Sequence, residues 1–269
     1  MQAVLITLDV AFPVKRLGYM IKNAKLSCIL TTLDWDNKIV DILNNCNHDC
    51  TLLCIGKTTD SPTVPDHATT TDATTDPQQS DGNHLAYVQY TSGSTGNPKG
   101  VMMTHAALET TLEWTFSTYG INTRDCFLQS TTATLDGFYS QLLPPLYAGA
   151  SIVLLPDSGL EDIQMILTTL KMFPITQVVF VPSYLNALLQ GNITFGKDLQ
   201  RIIVAGEQCP GILLEKIRQA TKHHPNDSLL FINEYGPTEA AITSTAFQVS
   251  LKTSGVFVDK VVPIGQTYC

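Results

Sequence analysis

Residues 91–100 read TSGSTGNPKG, a run of hydroxyls and glycines that ends beside a lysine. Glycines let a backbone approach an anion and aim successive amides at it. The hydroxyls of Thr91, Ser92, Ser94 and Thr95 add short donors, and Lys99 adds a full positive charge. Such a set is suited to phosphate, and no packing role calls for so many donors together. A Walker-type loop is excluded, because it needs GxxxxGK followed by Ser or Thr, whereas Pro98 precedes Lys99 here and Gly100 follows it. A second group, NEYGPTE at 233–239, follows the apolar run 229–232. Its Gly236-Pro237 pair turns the chain as it leaves a sheet. The segment offers Asn233 and Tyr235 to a base, and Thr238 and Glu239 to a metal bound to phosphate. Taken alone, it fits an ordinary polar turn with a satisfied tyrosine at least as well.

The elements that must position these groups follow from periodicity. In 269 residues with 44% hydrophobic content there is enough for a sizeable core, in one large domain or two ordinary ones. Strand-like runs at 3–7, 27–31 and 51–55 alternate with helix-period segments at 14–23 and 37–45, which predicts an α/β fold. Residues 58–83 hold almost nothing apolar and three prolines, so they are expected to form a long exposed, disordered loop. Alternation then resumes, with strands predicted at 85–90, 126–129, 151–155, 177–180, 201–204 and 229–232. Helices are predicted from Thr104 onward and at 135–147, 162–172, 183–190 and 210–222. Thr104 is a good N-cap, and the positive end of its helix is expected to face the phosphate loop. The organisation expected is a partial first α/β subdomain over 1–57, the loop over 58–83, and a binding core over 84–269.

Composition narrows the partners. The net charge is −8 and no Lys or Arg cluster occurs, which excludes a nucleic-acid footprint, so a small anion must be held by local geometry. No apolar run approaches the roughly 18 residues that span a bilayer, and no basic leader precedes the first apolar stretch; no membrane association and a cytoplasmic location are expected. Seven cysteines, an odd number in a long chain, suit a reducing compartment. Cys46, Cys50 and Cys54 invite a zinc reading but lack a second paired cluster, so they are expected to be buried small hydrophobes. His105 in a first helical turn is read as a local hydrogen-bonding group, and His223-His224 as a solvated helix end.

Together the two motifs carry a resemblance. YTSGSTGNPKGV (90–101) and NEYGPTE (233–239) resemble the phosphate loop and the adenine and magnesium motif of the acyl-adenylate-forming (AMP-binding) superfamily. That superfamily includes acyl-CoA synthetases, luciferases and the adenylation domains of nonribosomal peptide synthetases. Within it, TLDVAFPVKRLGYMI (7–21) and VPIG (262–265) are similar to segments of the peptide-synthetase adenylation domains. The resemblance implies an α/β fold: the large N-terminal domain of the adenylate-forming fold, built of layered βα subdomains, without the C-terminal lid domain. It also implies ATP-dependent activation of a carboxylic acid, with ATP and Mg2+ as cofactors. Two anions must meet in that reaction, repelling by about 1 kcal/mol at 4 Å in water and about 4 at a protein surface, so positive charge is required. By resemblance Thr91, Ser92, Gly93, Ser94, Thr95, Gly96 and Lys99 hold the phosphates. Tyr235 with Gly236 meets adenine, Asn233 and the backbone near Gly206-Glu207 contact its edge, and Thr238 and Glu239 hold magnesium. Lys99, Thr238 and Glu239 form the catalytic set.

The acid-binding residues are the finer carry-over. An aspartate shortly before a helix pairs with the substrate ammonium in the peptide-synthetase domains, and Asp136 matches it; a plain helix N-cap is the competing reading. The resemblance puts Gly137, Ser140, Val179, Ile203, Ala205, Glu234, Ile242 and Thr243 on the pocket wall. A second carboxylate, Glu234, is costly unless protonated or paired, which suggests a substrate side chain bearing a cation or a donor. Three readings follow: an amino-acid-activating core of a peptide synthetase, an acyl- or aryl-CoA ligase core, or a remnant that binds nucleotide without turnover. Family segments beyond the VPIG run, including a ribose-binding aspartate, a hinge and a lid lysine, are not in the sequence. Turnover by this chain alone is therefore expected to be poor. Carrier and condensation domains of a larger synthetase are the expected partners, with phosphopantetheine only on a carrier outside this chain.

Overall fold

The computed structural model describes residues 3–56, 82–92, 96–156, 159–160, 162–191, 193–252, 257 and 260–267. The expected loop over 58–83 lies almost entirely outside the described residues, as do Gly93, Ser94 and Thr95. The chain divides into two compact units, Met1–Met102 and Met103–Cys269.

In the first unit, β1 (Leu5–Ile6) runs parallel to β4 (Leu85–Thr91), which neighbours β5 (Lys99–Thr104). A separate parallel pair is formed by β2 (Cys28–Thr32) and β3 (Thr51–Ile55). Helices α1 (Val14–Asn23) and α2 (Asp36–Cys46) bury one stripe each, so that Leu17, Ile21, Ile39 and Ile42 close with Ile29 of β2 into a small core. The cysteines depart from expectation. Cys50 is only partly buried and Cys54 is exposed on β3, because that strand belongs to a two-stranded sheet with little to cover it. Among the described residues no group of three His, Cys, Asp or Glu side chains is arranged to hold a metal, and no helix is long and apolar enough to cross a membrane.

The second unit is built on a seven-stranded sheet. Its parallel part contains β6 (Cys126–Gln129), β7 (Ser151–Leu154), β8 (Gln177–Phe180), β9 (Arg201–Val204) and β10 (Leu230–Tyr235). The antiparallel strands β11 (Thr245–Ser250) and β12 (Gln266–Thr267) extend one side. Helices α4 (Gly137–Ala148), α5 (Ile163–Met172), α6 (Pro182–Gln190) and α7 (Gly211–Ala220) make the crossovers, and α3 (His105–Tyr119) precedes β6. These elements agree with the periodicity, while β5, β11 and β12 were not foreseen. The expected cap is present: Thr104, the last residue of β5, accepts from Ala107 N at 3.2 Å through its Oγ1 and opens α3.

Strand order is β12-β11-β10-β9-β8-β6-β7, so consecutive connections leave β6 in opposite directions. In an open α/β sheet the carboxyl ends at such a reversal leave a crevice, the usual place for a ligand. The two-residue period of the strands sorts their side chains. Val178, Phe180, Ile202 and Val204 point into the core shared with α5, α6 and α7, while Phe127, Val179, Ile203 and Ile232 point to the other face, with Tyr119 and Ile121.

Candidate functional site: carboxylates at the strand ends

In the first unit, the described flanks of the phosphate loop are tied together. Thr91 Oγ1 donates to the carbonyl of Lys99 at 3.5 Å, and Gly96 takes a left-handed φ of 89°. A Cβ at Gly100 would sit 2.9 Å from Val88 Cγ1, so glycine lets β5 lie close against β4 there. Lys99 and Ser92 are both exposed.

In the second unit the carboxyl ends of β6, β8, β9 and β10 gather the remaining predicted residues. Asp136 follows β6 and opens α4, and the loop between is held by Gln141 of that helix. The Gln141 Oε1 accepts from Ser130 N at 2.7 Å, Thr131 N at 3.1 Å and Gln129 Nε2 at 2.9 Å. Ser130 Oγ in turn donates to Val179 O of β8 at 2.7 Å, which pins the loop across the sheet reversal. One oxygen of Asp136, Oδ1, accepts from Gly137 N at 2.9 Å and caps α4. Its other oxygen, Oδ2, is buried and has no hydrogen-bond partner among the described residues. Burial pushes the Asp136 carboxyl above the ordinary 3.8; the nearby Thr238 hydroxyl and the helix amide pull it down, and the charge of Glu239 pushes it up again. Asp136, Thr238 and Glu239 therefore form one polar neighbourhood, with Glu239 exposed in a short turn of 3-10 helix, Thr238–Ala240.

Beside this lies a cavity of about 20 Å³ whose wall includes Ser140, Val179, Ile203, Glu234, Ile242 and Thr243. Six of the pocket residues expected from the sequence thus face one small space; Asp136, Gly137 and Ala205 are not on its wall. Glu234 is only 8% exposed. Tyr119 Oη donates a short hydrogen bond to its Oε1, and Thr243 Oγ1 donates to its Oε2 at 3.1 Å. Burial raises the Glu234 carboxyl above its usual range, against the lowering effect of these two hydroxyls. The expectation that Glu234 must be paired is met, by hydroxyls of the protein itself.

The turn that carries Ile242 is strained. Thr243 N donates to Ala241 O at 3.0 Å around Ile242 at φ 78°, the geometry of a γ-turn of the rarer hand. Thr111 Oγ1 of α3 donates to the same Ala241 carbonyl at 3.0 Å and steadies it. Gly236 is demanded by this turn, since a Cβ there would lie 2.2 Å from Ile242 O.

The predicted nucleotide residues divide. Tyr235 is half exposed, with its ring available to a partner. Asn233 is buried, and its amide nitrogen donates to Val262 O at 3.2 Å and Pro263 O at 2.8 Å, leaving only its carbonyl oxygen as an acceptor for a base. Glu207 accepts from Ser183 N at 2.9 Å and Ser183 Oγ at 2.8 Å, so its side chain caps α6 while Gly206, at φ 83°, turns the backbone. Tyr119, Thr111 and Gln141 were not foreseen. A signal existed for the first two, because Thr111, Thr115 and Tyr119 recur every four residues and form one hydroxyl-bearing stripe on α3.

The family model described as AMP-binding enzyme matches residues 1–266. Vanchrobactin synthetase VabF of Vibrio anguillarum is 30% identical over 270 residues, which is 98% of this chain and 9% of that protein. Gramicidin S synthase 2 of Brevibacillus brevis is 30% identical over 243 residues, 89% of this chain and 5% of that one. Among solved structures, the Vibrio cholerae adenylation domain AlmE, in complex with glycyl-adenosine-5'-phosphate, superposes with a TM-score of 0.74 at 19% identity, over 97% of this chain and 50% of its own. The nonribosomal peptide synthetase FmoA3, bound to AMPPNP, gives 0.72 at 20%, over 97% and 26%. This chain thus spans half or less of each of these relatives. With phosphate loop, sheet reversal and family model in agreement, the chain belongs to the AMP-binding enzyme family, akin to the adenylation domains of nonribosomal peptide synthetases and with the α/β fold of their core.

Proposed function

We propose that this chain carries the recognition core for ATP-dependent activation of an α-amino acid, giving an aminoacyl-adenylate and pyrophosphate within a larger peptide synthetase. The observation that carries the reading is the Oδ2 of Asp136, buried and without a hydrogen-bond partner among the described residues. A carboxylate desolvated by its surroundings and left with an empty acceptor site calls for a cation, and the α-ammonium of an amino acid supplies one. A fatty or aryl acid has no such group, so a CoA-ligase reading leaves Asp136 unexplained.

In the proposed reaction the α-ammonium pairs with Asp136, which orients the substrate carboxylate toward the α-phosphorus of ATP. The carboxylate oxygen forms a new bond to that phosphorus. The bond to the bridging oxygen breaks, and pyrophosphate leaves with the electron pair. Thr91, Ser92, Gly93, Ser94, Thr95, Gly96 and Lys99 are assigned to the leaving phosphates, and Tyr235 with Gly236 to adenine. The Asn233 carbonyl oxygen and the backbone at Gly206-Glu207 are assigned to the edge of the base. Gly137 and Ala205 remain assigned to the acid site beside the cavity wall. Thr238 and the exposed Glu239 offer the hydroxyl and carboxylate oxygens that suit a hard cation such as Mg2+, which when bound offsets the charge of the phosphates. Positioning and fixed charge, rather than covalent chemistry by the protein, then account for the rate.

The test is pyrophosphate exchange into ATP with a panel of amino, fatty and aryl acids. Exchange driven by amino acids alone supports the proposal. Exchange driven by acids without an ammonium overturns it, as does nucleotide binding with no response to any acid.

A further inference from the structure

We infer that Tyr119 is a positioning residue that holds Glu234 as part of the pocket wall, and that the pocket takes a small uncharged α-amino acid such as glycine, alanine or serine. This rests on the amino-acid reading of the site above.

Space comes first. A cavity of about 20 Å³ holds about one water. A methyl or hydroxymethyl group is on that scale; the side chain of lysine or phenylalanine is not.

Polarity comes second. The wall carries several polar side chains, but the structure has already put them to use. Ser140 Oγ donates to Gly137 O at 2.8 Å, and Thr115 Oγ1 to Thr111 O at 2.8 Å. Gln177 Oε1 accepts from Arg201 Nε at 2.7 Å. Tyr119 and Thr243 each give a hydroxyl to a different oxygen of Glu234. A cationic side chain entering here would compete with both hydroxyls for a carboxylate that burial also disfavours as an anion. The geometry thus argues against the cationic substrate that Glu234 suggests from sequence.

Tyr119 is itself fixed. It ends α3 immediately before Gly120, whose φ of 63° closes the helix. Its carbonyl accepts from Arg201 Nη1 at 2.9 Å, and its ring meets Trp114 edge-on at 5.3 Å between centroids. Arg201 is in turn ion-paired to buried Asp125. A hydroxyl delivered from so constrained a ring sets where the Glu234 carboxylate can lie.

Exchange and calorimetric titration of the full chain with glycine, alanine, serine, 2,4-diaminobutyrate, lysine and phenylalanine test the proposal. Small acids are expected to be favoured by at least about tenfold, the scale of one misfitted methylene. Tyr119→Phe keeps the ring and removes the donor. It should raise KM for alanine with little change in kcat, and raise the diaminobutyrate-to-alanine ratio about tenfold, since the released carboxylate seeks a new donor. Adding Glu234→Gln should restore the small-acid preference, which a merely structural role for Tyr119 would not do. Should Tyr119→Phe not fold, Thr243→Val removes the other donor and must shift the ratio in the same direction. Preference of the unaltered chain for a cationic or bulky amino acid overturns the inference while leaving amino-acid activation standing. An unchanged ratio in the folded variants overturns the role of Tyr119. A lack of response to every amino acid overturns the activation reading, and this inference with it.

Discussion

Two carboxylates in the second unit, Glu234 buried and Asp136 partly buried, behave in opposite ways. Glu234, near the carboxyl end of β10 and facing the small cavity, receives one protein hydroxyl on each oxygen. Asp136, at the mouth of the strand ends, has one oxygen on its own helix amide and the other without a hydrogen-bond partner among the described residues, with the Thr238 hydroxyl nearby. Both are raised above the ordinary carboxyl range by desolvation. The difference teaches where a fold completes its own hydrogen bonding and where it leaves that to a ligand. A satisfied carboxyl is a piece of wall, whereas a half-satisfied one is an acceptor held ready at a cost in stability.

The sharpest way to break that contrast is Asp136→Ala. Removing one partner of a buried charge pair costs about 2–5 kcal/mol, so amino-acid affinity should fall roughly 30-fold to several thousand-fold, read by exchange and calorimetry. A loss no larger than that of Glu234→Gln would erase the distinction. Next is Gln141→Leu. It strips the acceptor from three donors around the Asp136 loop and should destabilise the chain by about 2–4 kcal/mol in urea unfolding, with the acid-binding end losing more than the Glu234 end.

A smaller effect follows from pH. Because both carboxyls hold their protons more tightly folded than unfolded, the folded state binds more protons, and stability falls as pH rises from the ordinary values of 3.8 and 4.5 through the raised ones. Asp136→Asn should flatten that decline in thermal melts between pH 4 and 8, even as it impairs substrate binding. The smallest effect is expected at the satisfied site. Glu234→Gln keeps an oxygen for Tyr119 and an amide that can donate to Thr243, so the melting temperature should change by the equivalent of about 1 kcal/mol or less.

Much of this molecule was legible in the sequence. The strand at 177–180 and the helix at 14–23 coincide with their predicted bounds, because continuous apolar runs and a 3.6-residue period are local signals. Strand β5, KGVMMT, gave no such signal; it depends on β4 lying beside it, with Gly100 allowing the approach. Of the residues that the resemblance puts on the pocket wall, Ser140, Val179, Ile203, Glu234, Ile242 and Thr243 line one cavity, while Asp136, Gly137 and Ala205 do not. What was not legible was partnership. That Tyr119 would spend its hydroxyl on Glu234 is a contact across 115 positions, and that Asn233 would donate to the VPIG backbone depends on a segment 30 residues on. Neither has a local cause in composition or period.

Ile242 bears on how easily the preference of this pocket can change. Widening a pocket by trimming a wall residue usually opens a void and weakens the fold. At this position the wall residue is β-branched and held at φ 78°, where only glycine is comfortable. Ile242→Gly would relax the backbone while enlarging the cavity, so the two effects oppose each other at a single codon. Under the proposed reading, substitution at this turn is the change that would enlarge the acid pocket with the least of the usual stability penalty.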